Sequence, residues 1–117
     1  MGIVSRNFGL AALAAGLVFS SGVAQAADAA KGKANFMKYG CWQCHGTMGQ
    51  GSPVTGKKLA PGPLPFEAMS AFIRNSRRQM PPYREEVLPK ADLEDIHAYL
   101  SSIPPAVDAN TIDLLKN

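Results

Sequence analysis

The sequence predicts an all-α domain in which a few helices are joined by long loops. Three segments carry apolar residues at helical spacing, namely residues 28–39, 65–75 and 90–102. No run of alternating β-branched residues, which would indicate a strand, occurs in the chain. Residues 46–65 contain nine Gly and Pro residues and therefore predict a loop.

The first predicted helix covers residues 28–39. Asp28 is expected to be its N-cap residue, because a carboxylate there can accept hydrogen bonds from the free N–H groups of the first turn. Gly40 is expected to end the helix. Gly32 and Phe36 are four residues apart and therefore share one face.

The second predicted helix covers residues 65–75 and ends before a proline-rich loop. Its apolar spacing makes four side chains core candidates: Phe66, Met69, Phe72 and Ile73. Cationic side chains at its C-terminal end, where they complement the helix dipole, are Arg74, Arg77 and Arg78. The run from Met80 to Tyr83 contains two prolines and predicts an extended segment.

The last predicted helix covers residues 90–102 and is ended by Pro104 and Pro105. Its apolar stripe consists of Leu93, Ile96, Tyr99 and Leu100. Acidic residues favour its N-terminal turn, namely Asp92, Glu94 and Asp95. No Ser, Thr or Asp cap precedes Lys90, so the start of this helix is the least defined of the predicted boundaries.

Residues 1–26 are predicted to be a secretory signal peptide. Arg6 provides the positive start, an uncharged apolar stretch follows, and the small residues up to Ala26 suit cleavage before Ala27. Residues 27–105 are then one exported domain with a predicted periplasmic location, and residues 106–117 a C-terminal tail. The apolar stretch is too short to span a bilayer, although an uncleaved segment would tether the protein to one.

The charge of the chain is unevenly distributed. Residues 29–84 carry nine Lys and Arg against one Glu, so 9 − 1 = +8, whereas residues 85–117 carry two Lys against seven acidic residues, so 2 − 7 = −5. An exported protein without interleaved aromatic and basic positions is not expected to bind nucleic acid.

The only two cysteines lie in the run Cys41-Trp42-Gln43-Cys44-His45, which has the C-x-x-C-H pattern of covalent c-type haem attachment. Each thiol can add to one haem vinyl group, and His45 then lies beneath the iron as an axial ligand. Three alternatives share these residues: a zinc site completed by His97, a redox dithiol and a Cys41–Cys44 disulfide.

The sixth ligand of such an iron decides between electron transfer and an open, reactive site. The candidates are Met37, Met48, Met69, Met80 and His97. Met48 is too close to His45 to reach the opposite face of the ring, and Met37 and Met69 are expected to be core residues. Met80 lies 35 residues after His45 in a loop stiffened by proline, so it is the predicted ligand, with His97 as the alternative.

These residues resemble the class I c-type cytochromes, specifically small single-haem bacterial members. The resemblance covers residues 28–104 and includes Gly32, Phe36, the Cys41–His45 motif, Met80-Pro81, Ile96 and Tyr99. It implies crossing N- and C-terminal helices, with Gly32 permitting close approach to an aromatic residue of the last helix. Members commonly have proline where this chain has Lys57, whose backbone carbonyl is still expected to accept a hydrogen bond from the proximal histidine.

The resemblance implies a periplasmic electron carrier with one haem c, not an enzyme. The run around Met80 looks like that of cytochrome subunits of periplasmic dehydrogenases, which implies electron flow from a dehydrogenase to a terminal acceptor. The alternative is a haem enzyme or gas sensor with an open sixth iron site. Five cations flank the predicted haem edge and predict an acidic docking patch on the redox partner: Lys57, Lys58, Arg77, Arg78 and Arg84.

Overall fold

The computed structural model describes residue 2 and residues 26–116 of the chain. Its helices are α1 (Ala29–Lys38), α2 (Trp42–His45), α3 (Phe66–Asn75) and α4 (Lys90–Ser102), and two 3-10 turns follow at Ala109–Thr111 and Asp113–Leu115. Over the described residues there is no strand, only one isolated bridge between Ser52 and Gly56. The predicted all-α fold class is confirmed, and the three predicted helices agree with α1, α3 and α4 to within one residue at each end.

The predicted signal peptide lies outside the described residues, apart from positions 2 and 26. Within the described part of the chain, no helix has both the length and the apolar character needed to cross a membrane.

The start of α1 is capped and tied to α4 by Asp28. Its carboxylate Oδ1 accepts hydrogen bonds from the N–H groups of Ala30 at 2.8 Å and Lys31 at 3.1 Å. The Asp28 N–H itself donates to the Asp95 carboxylate of α4 at 2.6 Å. The hydrogen bonds from Lys31 and Ala30 hold the pKa of the Asp28 carboxyl below its usual value.

Helices α1 and α4 form the most extensive helix pair of the described residues. Gly32 makes their close approach possible, because a Cβ atom at this position would overlap the Asp95 carbonyl and lie 2.8 Å from the Tyr99 Cβ. One turn further along α1, the ring of Phe36 lies 5.8 Å from the ring of Tyr99. The close crossing that the resemblance to class I c-type cytochromes implies is therefore present.

The hydrophobic core lies between these helices, α3 and the connecting segments. Its buried members are Phe36, Ala60, Met69, Leu88, Leu93, Ile96, Tyr99 and Leu100. Leu88 has 1% of its surface exposed, yet it lies in the segment before α4, outside any periodic pattern. Sequence periodicity identified the helical members of this core but gave no reason to include Leu88.

The prediction that Phe72 is a core residue is wrong, because 59% of its surface is exposed. Phe66, Met69 and Ile73 fall within an arc of about 60° on α3, because successive residues turn by about 100°. Phe72 lies about 60° beyond the edge of that arc. Only the side chains inside the arc contact the core: Met69 is buried, and Phe66 and Ile73 pack against it.

Candidate functional site

The two cysteines lie at opposite ends of a single helical turn. Gly40, with a φ of +75°, reverses the chain after α1 and lets α2 begin directly afterwards. Cys41 is the N-cap residue of α2, whereas Cys44 and His45 belong to its last turn. Residues three and four apart on a helix share a face, so α2 presents Cys41, Cys44 and His45 on one side.

Both cysteines are unpaired thiols in this structure. Cys41 is half-buried and Cys44 is exposed. Burial raises the pKa of the Cys41 thiol to about 11, whereas the reactive cysteine of a redox dithiol has a lowered pKa. The described residues contain no group of three His, Cys, Asp or Glu side chains able to hold a metal ion, so the zinc alternative finds no ligand set among them.

His45 is oriented by a backbone carbonyl. Its Nδ1 lies 2.7 Å from the carbonyl oxygen of Lys57. A carbonyl oxygen only accepts hydrogen bonds, so Nδ1 carries the proton and donates it, and Nε2 is the nitrogen left with a free electron pair. Tying one ring nitrogen in this way fixes the tautomer and orientation that a metal-ligating histidine needs.

The residues before Lys57 explain how its carbonyl reaches His45. The Thr55 hydroxyl donates to the Cys44 carbonyl at 2.8 Å, which draws this loop onto α2. A Cβ atom at Gly56 would lie 2.8 Å from the same carbonyl oxygen and 3.1 Å from His45 Nδ1, so the approach requires glycine. The hydrogen bond is thus formed although lysine stands at position 57, where the resemblance to class I c-type cytochromes implies proline.

The long loop after α2 is ordered by its own backbone hydrogen bonds. The Gly51 N–H donates to the His45 carbonyl at 2.8 Å, and the Ser52 N–H donates to the Gly56 carbonyl at 2.8 Å. The Gly49 carbonyl accepts from both Leu59, at 2.7 Å, and Ala60, at 3.0 Å. These bonds satisfy the backbone of a segment that has neither helix nor strand.

Met80 is half-buried in the extended segment that follows α3. The buried Ser76 hydroxyl donates to the Met80 carbonyl at 2.7 Å. On the other side of Met80, the Tyr83 N–H donates to the Ile73 carbonyl at 3.0 Å, and the Tyr83 hydroxyl donates to the Tyr39 carbonyl at 2.8 Å. The segment is therefore held to α3 at both ends and to the end of α1.

Tyr83 is half-buried in this segment. Burial raises the pKa of its phenol above the usual value, because a low-dielectric environment disfavours the charged phenolate.

The other sixth-ligand candidates have structural roles or are exposed. Met69 is a core residue, as predicted. Met37 was expected in the core but is 38% exposed, and Met48 is 53% exposed. His97 uses Nε2 to contact the Leu64 carbonyl at 3.0 Å and meets the Phe66 ring edge-on at 5.8 Å, so its imidazole links α4 to the residues before α3.

Arg74 has a role that the sequence did not reveal. The predicted interaction with the dipole of α3 is supplemented by two directed hydrogen bonds, from its guanidinium to the carbonyls of Tyr83 at 2.8 Å and Leu88 at 2.6 Å. Both acceptors are backbone atoms, so no residue type in the sequence marks them as partners.

The five cations of the expected docking surface are all exposed. Lys38, Lys90 and Lys116 make the ion pairs found among residues 26–116, with Asp92, Glu94 and Asp113 respectively. None of the five docking cations takes part in them, and their charge is free to act on a partner.

The residues fit a covalently bound haem. Two unpaired thiols lie one helical turn apart, and the adjacent imidazole has Nδ1 occupied and Nε2 free to bind iron. Residues 27–100 match the model of the family described as cytochrome C oxidase, cbb3-type, subunit III. This match covers more than half of the chain and includes α1, α2, α3 and most of α4. No curated protein and no solved structure gives a significant match.

Proposed function

We propose that this chain, which belongs to the family described as cytochrome C oxidase, cbb3-type, subunit III, is a periplasmic electron carrier with His/Met-ligated haem. Family membership confirms a class I c-type cytochrome with covalently bound haem c, its iron and haem-based electron transfer. The proposal concerns the ligands, the compartment and the partners.

The proposed haem residues are Cys41 and Cys44 as the thioether links, with His45 and Met80 as the axial ligands. The observation that carries this assignment is the 2.7 Å contact between His45 Nδ1 and the Lys57 carbonyl. It orients the imidazole beside the two thiols and leaves Nε2 for iron. Met80 is supported by the hydrogen bonds on both sides of it, which hold its segment in place.

Haem c supplies one-electron exchange between ferrous and ferric iron. The protein residues set the potential and the access. The Lys57 carbonyl makes the His45 imidazole a stronger donor, whereas the Met80 thioether favours ferrous iron and raises the potential. The apolar residues of α1 and α4 lower the local dielectric constant, which disfavours the extra charge of ferric haem.

Export is supported by the predicted signal peptide and by the cysteine chemistry. Residues 1–26 have the pattern of a cleaved secretory segment, with Ala27 as the first mature residue. Bacterial c-type haems are attached outside the cytoplasm to reduced thiols, and both cysteines are unpaired in this structure.

The proposed electron donor is a periplasmic dehydrogenase, and the acceptor is a cytochrome or a terminal oxidase. The family description, which names an oxidase subunit, supports the acceptor side. The exposed, unpaired cations at Lys57, Lys58, Arg77, Arg78 and Arg84 support a partner with an acidic docking patch, whether this chain diffuses freely or is fixed as a subunit.

The alternative with an open sixth site gains no observation in its favour. A distal group would have to supply a proton or hydrogen bond to an iron-bound ligand, and the Tyr83 hydroxyl, three residues after Met80, instead donates to the Tyr39 carbonyl. A hydroxyl committed in this way does not act as a proton donor to an iron-bound ligand.

The ligand set is tested by absorption spectroscopy of the protein produced with haem attachment. The wild type is expected to be low-spin in both oxidation states and not to bind carbon monoxide when reduced. Met80→Ala is expected to bind carbon monoxide rapidly, because the sixth site opens. Met48→Ala is the matched control and should behave like the wild type, since Met48 is 53% exposed. Carbon monoxide binding by the wild type, or no effect of Met80→Ala, would overturn the assignment of Met80.

A further inference from the structure

We propose that Tyr83 is a positioning residue that keeps Met80 on the haem iron by joining the Met80 segment to the end of α1. The inference rests on the proposed ligation by Met80. It assigns to the Tyr83 phenol a role that differs from that of a residue packed in the core.

Tyr83 connects three parts of the chain. Its N–H donates to the Ile73 carbonyl of α3 at 3.0 Å, and its carbonyl accepts from Arg74 at 2.8 Å. Its hydroxyl donates to the Tyr39 carbonyl at 2.8 Å. The first two bonds join residues within ten positions of each other, whereas the third spans 44 positions. Of these three bonds, only the third links the Met80 segment to an element other than α3, namely to the end of α1.

The acceptor of that bond lies close to the attachment motif. Tyr39 is the C-cap residue of α1 and lies two positions before Cys41. The phenol therefore ties the segment carrying the proposed distal ligand to the segment carrying the proposed thioether and proximal ligands. The Met80 carbonyl accepts from the Ser76 hydroxyl, and three positions later the Tyr83 hydroxyl donates to the Tyr39 carbonyl. Removing the second of these bonds leaves the segment attached to α3 alone.

Loss of the Tyr83 hydroxyl bond is expected to shift the equilibrium between iron-bound Met80 and displaced Met80. A partly buried hydrogen bond of this kind contributes about 1 kcal/mol, so its loss is expected to increase the displaced population about fivefold to tenfold. An external ligand binds only to iron from which Met80 has left. Its apparent dissociation constant therefore falls by the same factor.

Imidazole titration of the ferric holoprotein tests the proposal with Tyr83→Phe, which keeps the ring and removes the hydroxyl. We expect the apparent dissociation constant of imidazole to fall about fivefold to tenfold. We also expect the long-wavelength absorption band of methionine-bound ferric haem to weaken at elevated temperature. Tyr39→Phe is the matched control, because it removes a phenol that donates to Asp92 but leaves the backbone carbonyl that accepts from Tyr83. The control should stay within about twofold of the wild type.

The outcomes separate this proposal from the ligand assignment on which it rests. A wild type that shows the methionine band, combined with equal imidazole affinity for the wild type and Tyr83→Phe, would overturn the role of Tyr83 alone. Equal increases in imidazole affinity for Tyr83→Phe and Tyr39→Phe would show that the effect comes from a general destabilisation of the fold, and this result would also overturn the role of Tyr83. A wild type without the methionine band would overturn both proposals.

Discussion

At the level of single residues, Gly32 decides whether α1 and α4 can cross closely. We expect Gly32→Ala to destabilise the holoprotein by about 1–3 kcal/mol, because the added methyl group would overlap the Asp95 carbonyl and crowd Tyr99. Helix propensity alone would favour alanine by about 1 kcal/mol, so the direction of the change identifies the steric cause. The measurement is denaturant unfolding followed by circular dichroism. Lys33→Ala, at the exposed neighbouring position, should change stability little, and a stabilising Gly32→Ala would contradict the close crossing.

Asp28 gives the chain a pH dependence that can be predicted in sign. Its carboxyl pKa is lower in the folded protein, so its contribution to stability is present above the unfolded pKa of about 4 and is lost as the pH falls through the folded value. Asp28→Ala should therefore be less stable than the wild type at neutral pH, and the difference should shrink in acid. Thermal unfolding between neutral pH and about pH 2 measures this.

Asp28→Asn separates capping from charge at the same position. Asparagine caps helices about as well as aspartate, so this variant should stay close to the wild type at neutral pH. It lacks the titrating carboxyl, and its advantage over Asp28→Ala should persist in acid. A constant difference between the wild type and Asp28→Ala at all pH values would show that the capping bonds do not depend on ionisation.

At the level of elements, Arg74 joins α3 to the segment between α3 and α4. Its guanidinium donates to the Tyr83 and Leu88 carbonyls, which lie on either side of that segment's turn. Arg74→Met keeps much of the aliphatic stem but removes both donors, and we expect a loss of about 2 kcal/mol in the free energy of unfolding. Arg77→Met, three positions further on and exposed, should cost almost nothing. Equal effects of the two substitutions would mean that the Arg74 bonds contribute no stability.

The helices could be predicted because their signals are local. Helical spacing and the Asp28 cap were sufficient for α1, and the apolar stripe followed by Pro104 and Pro105 was sufficient for α4, even though its start lacked a capping residue. The connecting segment could not be predicted in the same way, because its bonds join distant residues, such as Arg74 with Leu88 and Tyr83 with Tyr39. Helical spacing also gave a wrong core prediction at the edge of the apolar arc of α3, where exposed Phe72 lies three residues after buried Met69.

The residues of the candidate site also fall into two groups, those that a local sequence pattern marks and those that come together only in the folded chain. Cys41, Cys44 and His45 are neighbours in sequence, so a motif of five residues was enough to predict them as haem-binding residues. The hydrogen bond that orients His45 was expected to form even with lysine at position 57, because its acceptor is a backbone carbonyl. The structure confirms this hydrogen bond. The supporting contributions of Thr55, Ser76 and Arg74 depend on where the chain folds back, and the sequence alone does not reveal them.

At the level of the whole molecule, the unequal charge distribution predicts how ionic strength changes the rates of electron transfer to charged redox agents. The exposed docking cations should attract anions and repel cations, and both effects should weaken as salt screens them. Oxidation of the reduced protein by ferricyanide, an anion, should therefore slow as ionic strength rises, whereas oxidation by a cationic cobalt(III) complex should accelerate. Stopped-flow absorption at the haem bands measures both rates.

The location of the docking charge is tested by comparing two variants with the same change in net charge. Arg77→Glu with Arg78→Glu reverses two docking cations and should slow ferricyanide and accelerate the cobalt complex several-fold at low salt. Lys90→Glu with Lys116→Glu changes the net charge equally, but at residues that already pair with Glu94 and Asp113 and do not belong to the proposed docking cations. If both variants had the same effect, only net charge would matter and the proposed docking surface would be wrong. A larger effect of the arginine pair would mean that electrons leave through the haem edge beside the Met80 segment, where an acidic partner would have to bind.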